Sequence, residues 1–106
     1  MNQKKNNIVI CNLINGTSVR IPKIIRTRLG ISSGDEIVIK TNNKLDGLIL
    51  FKSGGNTKEN QVVLSEDGRI WIPVELRRQL QIEKGTDFEI HINYNHEITL
   101  KVIKIK

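Results

Sequence analysis

A chain that repeats itself at a fixed offset has to fold as two copies of one unit, and that constrains this chain more than its composition does. Shifted by 51 residues, positions 19–39 fall on positions 70–90 without a gap. Ile21/Ile72, Pro22/Pro73, Arg26/Arg77, Leu29/Leu80, Ile31/Ile82, Gly34/Gly85 and Ile39/Ile90 are identical, seven of 21 positions. The matches include a proline and a glycine, the two residues that most strongly punctuate local structure. A tandem duplication follows, with repeats at 1–53 and 54–106. The stretch KSGGNTKENQ at 52–61, rich in Gly, Asn and Ser, joins them as a loop.

Each repeat is close to the lower size limit for independent folding, so the two are expected to share one core as one compact domain. Hydrophobic residues make up 38% of the chain and aromatics only 4%, so the core must be built from Ile, Leu and Val, which suit a small sheet or barrel. In SVRI and RIWI the side chains alternate: Val19 and Ile21 oppose Ser18 and Arg20, and Ile70 and Ile72 oppose Arg69 and Trp71. A proline follows each run. Its fixed φ and missing N–H stop a central strand and suit the first position of a helix. Helices are expected at about 22–29 and 73–80, with Ile25/Leu29 and Leu76/Leu80 inward and Gly30 as a left-handed cap. IVICNL and QVVL read as preceding strands. DEIVIK with LILF, and DFEIHI with ITLKVIKI, read as hairpins. The unit is β-β-α-β-β, twice.

The formal net charge is +6, which favours an anionic partner, nucleic acid before a membrane surface. All of that excess lies in 1–53, where nine basic residues face three acidic ones, against eight of each in 54–106. No apolar run is long enough for a spanning helix, so no membrane partner is expected. The start, MNQKKNNIVICNL, lacks a convincing signal-peptide pattern, and a lone Cys11 provides no disulfide framework. A cytoplasmic location is the expectation.

The segment DGRIWIPVELRRQLQIEKGTDFEI closely resembles the AbrB/SpoVT family of bacterial DNA-binding domains, with their G-R-[VI]-x-[IL]-P-x-E-L-R-[RK] run. The first copy, NGTSVRIPKIIRTRLGISSGDEIVI, is similar to the MazE antitoxin branch of that superfamily and its A-V-R-I-P run. The resemblance spans nearly the whole chain. It implies a mainly β fold with two short helices, in which two β-β-α-β-β units interleave hairpins as a swapped-hairpin barrel. Two chains supply the units in most of the family, so a single chain with both is expected to be an intramolecular pseudo-dimer.

The resemblance further implies an arginine face for double-stranded DNA. Arg69, Arg77 and Arg78 match family DNA-contacting arginines, and Arg20 matches the MazE-like one. Lys23, Arg26 and Arg28 complete the expected face in copy one, with Lys4 and Lys5 as a candidate arm along the phosphates. Arginine suits the task because its planar fork binds phosphates or guanine edges in a bidentate way. The face is not two-fold symmetric, because Ser18 stands opposite Arg69, Arg20 opposite Trp71 and Thr27 opposite Arg78. Val62 falls where the family has a further arginine. Trp71 is expected to pack a neighbour, and Glu75 to orient Arg78 or counter the helix N-terminus.

His91, His96 and Cys11 fit no zinc spacing, and Asp46-Gly47, Asp67-Gly68 and Ser33-Gly34 read as turns. No catalytic set or cofactor motif stands out, so a regulator of AbrB type is expected rather than an enzyme. The competing expectations are an autoregulating antitoxin and a protein-interaction module built around Trp71. Against the antitoxin, MazE-like proteins neutralise through a long C-terminal tail, whereas this sequence ends in the strand-like ITLKVIKIK. A homo-oligomer on DNA and a protein partner both remain open at this level. The richness in Ile, Lys and Asn suits an AT-rich bacterial, phage or plasmid genome.

Overall fold

A computed structural model describes residues 9–55 and 59–103. The first half contains β1 (Val9–Asn12), β2 (Ser18–Arg20), α1 (Lys23–Leu29), β3 (Glu36–Thr41) and β4 (Gly47–Lys52). The second contains β5 (Asn60–Val63), β6 (Arg69–Trp71), α2 (Val74–Leu80), β7 (Asp87–Ile92) and β8 (Ile98–Ile103). Every element of the second half lies 51 residues after its counterpart, so the offset read from the sequence is the offset of the structure. The protein is mainly β, with antiparallel sheets and two short helices.

Strand pairing ties the halves together. One sheet runs β1-β7-β8-β4-β3-β5, and β2 and β6 form a separate two-stranded ribbon. Only the β3–β4 and β7–β8 hairpins are internal to a half. The first strand of each half pairs with the third strand of the other, β1 on β7 and β5 on β3. The β4–β8 seam and the β2–β6 ribbon also cross between halves.

The expected barrel is not closed. The large sheet ends on β1 and β5, and among the described residues no ladder joins either edge to the ribbon. The cause is local. Between β1 and β2 the chain turns through Asn15 (φ 52°) and Gly16 (φ 76°), which leaves a single Ile14–Ser18 bridge in place of a ladder.

One apolar cluster fills the space between ribbon, helices and sheet. Val19, Ile21, Ile70 and Ile72 come from the ribbon strands and the residues after them, Ile25, Leu76 and Leu80 from the helices, and Ile37, Ile39, Leu48, Leu50, Phe88, Ile90, Ile98 and Leu100 from the sheet. The alternation in SVRI and RIWI therefore aims the apolar residues inward, with one exception. Ser18 shares the outward parity of Arg20 yet is buried, and Trp71 lies directly opposite it across the ribbon.

The prolines sit one place earlier than expected. Pro22 (φ −56°, ψ 142°) and Pro73 (φ −55°, ψ 144°) are the N-caps, still in extended backbone. Their carbonyls accept the first helical N–H groups: Ile25 and Arg26 donate to Pro22, and Leu76 and Arg77 donate to Pro73. The ring thus ends the strand while its carbonyl opens the helix. Both helices close on a left-handed residue, Gly30 (φ 69°) as expected and Gln81 (φ 56°) where no glycine marks the position. Ile31 donates to the Arg26 carbonyl and Ile82 to that of Arg77, at 3.0 Å in each case. The cap is thus repeated without its usual residue.

Gln81 bears the cost of a β-carbon in the left-handed region, which glycine avoids. Gln81→Gly is expected to raise stability by about 0.5–1 kcal/mol, read as a higher urea midpoint with an unchanged slope.

Candidate nucleic-acid interface

The ribbon places two arginines face to face. Its register pairs Ser18 with Trp71, Val19 with Ile70 and Arg20 with Arg69. Val19 and Ile70 are buried beneath it, which turns Arg20 and Arg69 outward on one rung. Like charges directly opposite on an antiparallel pair repel, and a third residue relieves this one. The Asp67 carboxylate accepts from Arg20 Nη2 at 3.0 Å and forms an ion pair with Arg69 Nε at 3.1 Å, both through Oδ2. Arg20 Nε also donates to the Asp67 backbone carbonyl at 3.1 Å.

Asp67 is fixed by its own turn. The Gly68 N–H donates to the Ser65 carbonyl at 3.0 Å, and the Ser65 hydroxyl donates to Asp67 Oδ1 at 2.5 Å. The Ser65 hydrogen bond is the largest influence holding the Asp67 carboxyl down at about 2, and the two arginines act in the same direction. On its other side the Arg69 guanidinium lies over the Trp71 ring, 4.9 Å from the centroid. Trp71 therefore packs a neighbour, as expected, while remaining 45% exposed.

Arg26 and Arg77 have a different environment. Both are half-buried, and each donates through Nε at 3.0 Å to the carbonyl of the residue before the proline, Ile21 or Ile72. Each also reaches across to the other half. A β-carbon on Gly68 would lie 2.8 Å from Arg26 Cζ, so the guanidinium packs flat against a position only glycine leaves open. Arg77 Nη1 approaches the Gly16 carbonyl at 3.5 Å. Gly16 precedes β2 and Gly68 precedes β6, so the two arginines form a reciprocal clamp between each helix and the opposite turn.

Lys23, Arg28 and Arg78 are exposed and have no hydrogen bond or ion pair among the described residues. Glu75 is exposed in the first turn of α2 and forms no ion pair with Arg78 among the described residues. Lys4 and Lys5, the candidate arm, lie outside the described residues.

The turn at 65–68 thus gathers three of the expected arginines, Arg20 and Arg69 on Asp67 and Arg26 on Gly68. Sequence reading assigned Asp67 and Gly68 to turn chemistry alone. Their contacts depend on a β2–β6 register that no local pattern encodes.

Cys11 lies opposite Phe88 in the β1–β7 pair, and burial first, then the nearby Asp87 charge, pushes its thiol up to about 11. His91 is exposed on β7 beside Glu89 at 3.5 Å, and His96 (φ 61°) is in the β7–β8 turn. Among the described residues no group of three or more His, Cys, Asp or Glu side chains is placed to hold a metal ion, and no helix is long and apolar enough to cross a membrane. No protein-family model, curated protein or solved structure matches the chain.

Two tests follow from these environments. Arg26→Lys keeps the charge but removes the Nε donor from a carbonyl inside the fold. It is expected to cost about 1–3 kcal/mol in urea unfolding, with Arg77→Lys similar. Arg28→Ala and Arg78→Ala should stay within about 0.5 kcal/mol of wild type. The second test concerns pH. A carboxyl lowered from 3.8 to about 2 contributes stability that is present above the unfolded value and lost as pH falls through the folded one. The urea midpoint should therefore fall as pH drops from 4 towards 2, and Asp67→Asn should flatten that part of the profile.

Proposed function

We propose that the chain is a DNA-binding transcriptional regulator, a binding protein rather than an enzyme, that docks its ribbon and helix-borne cations on duplex DNA. In this reading its two repeats form, within one chain, the swapped-hairpin unit of the AbrB/SpoVT/MazE type. The exchange of β1 and β5 between halves supports that arrangement. It would act in the cytoplasm, on the nucleoid.

One observation carries the proposal. Arg20 and Arg69 share an outward rung of a three-residue ribbon, and the single Asp67 carboxylate between them neutralises only one of their two charges. The positive charge left over on the rung favours an anionic duplex. Lys23 and Arg28 on α1 and Arg78 on α2 add uncommitted cations on the helices that follow the ribbon strands. Arg26 and Arg77 contribute by holding those helices in place, with their outer guanidinium N–H groups as secondary contacts. The face is lopsided, since Ser18, Thr27 and Trp71 replace cations at equivalent positions. It therefore suits a site without perfect two-fold symmetry.

Fluorescence anisotropy with a duplex from the DNA upstream of its own coding sequence, beside a scrambled duplex, tests the reading. With roughly six phosphate contacts, affinity should fall about a thousandfold between 50 and 200 mM salt. The double variant Arg28→Ala/Arg78→Ala, which leaves the clamp intact, should weaken binding to both duplexes and flatten the salt slope by about two contacts. No binding by folded wild type at 50 mM salt removes the proposal.

A further inference from the structure

The two ribbon arginines do not meet DNA as bare charges, because one carboxylate contacts both. We propose that Asp67 is an internal counter-ion that competes with DNA phosphates for Arg20 and Arg69, making the pair selective for uncharged base-edge acceptors. The inference rests on the DNA-binding reading above and assigns Asp67 a role in specificity.

The geometry supports competition. Asp67 Oδ2 takes Arg20 Nη2 at 3.0 Å and Arg69 Nε at 3.1 Å, positions that a phosphate oxygen would otherwise fill. The rung carries two positive charges and one negative, so an approaching phosphate meets half the attraction that the arginines alone would exert. That loss is the repulsion from the carboxylate, which is 47% exposed. A guanine edge offers two acceptors with no net charge and escapes most of that repulsion. The same contacts aim the guanidiniums. Arg69 is held between Asp67 and the Trp71 ring, and Arg20 grips Asp67 through both its carboxylate and its backbone carbonyl. Their remaining N–H groups are therefore presented in a fixed orientation.

The arrangement occurs once in the chain. The residue equivalent to Asp67 is Gly16, that of Arg69 is Ser18, and that of Arg20 is Trp71. Both arginines and their single counter-ion come from a superposition of unlike halves, and neither repeat contains the set.

Asp67→Asn keeps an acceptor for Ser65 and the arginines but removes the charge. Asp67→Gly, which installs the residue of the first copy, serves as a second variant should the first fold poorly. Both are to be titrated beside wild type against the upstream and scrambled duplexes across the salt series. The variants are expected to bind the scrambled duplex about tenfold tighter at 50 mM salt, with a salt slope steeper by about one contact. Binding to the upstream duplex should rise less, so that discrimination narrows. If folded variants bind the scrambled duplex no more tightly than wild type, with the same slope, Asp67 is a turn residue and the inference falls while DNA binding stands. If neither wild type nor variant binds either duplex, both readings fall together.

Discussion

The structure depends on the exchange of edge strands between halves. A β-β-α-β-β unit alone would leave the outer edge of its hairpin unpaired and its apolar face uncovered. Here β1 covers the edge of β7, and β5 covers the edge of β3. The β4–β8 seam then joins the two hairpins into one sheet, beneath a ribbon to which each half gives one strand. The backbone hydrogen bonds and apolar burial that order each half are largely supplied by the other. Helices of seven residues could not persist alone in water, and they are ordered because Ile25, Leu76 and Leu80 are buried in that common core.

The same exchange sorts the arginines into three kinds. Those at the fifth residue beyond Ile21 and Ile72 reach back to the strand exit and across to the opposite turn, acting as fasteners. Those on the ribbon rung face outward against each other and share a carboxylate. The rest, with Lys23, project from the helices without partners among the described residues. Arginine fits all three settings for the same reason, a planar fork that keeps its charge in every environment. A contact list drawn from motif positions alone treats them as equivalent. The distinction between Arg77 and Arg78, adjacent in sequence, lies in whether the side chain turns under the helix or away from it.

Much of the fold was legible. The order of elements, the inward parity of Val19, Ile21, Ile70 and Ile72, and the left-handed end at Gly30 all follow from alternation, proline and glycine. What remained hidden depended on long-range geometry. The helix start shifted by one because a proline can cap with its carbonyl while its own backbone stays extended. Gln81 occupies a left-handed cap because the repeat imposes the conformation on a residue that does not advertise it. The sheet stays open at β1 where the turn at Asn15–Gly16 leaves one bridge in place of a ladder. The Arg20–Asp67–Arg69 bridge was least accessible of all, since Arg20 lies 47 residues from Asp67 in the chain and meets it only through inter-half register.

The covalent link between the repeats has a consequence beyond folding. In an assembly of two identical chains, pairing weakens on dilution, and every substitution appears twice at equivalent places. In this chain the two units remain at a fixed local concentration however few molecules are present. Each position also varies alone. One carboxylate can stand beside one rung of the ribbon where a symmetric dimer would be forced to place two or none. Duplication in one chain therefore turns a symmetric scaffold into one with a direction.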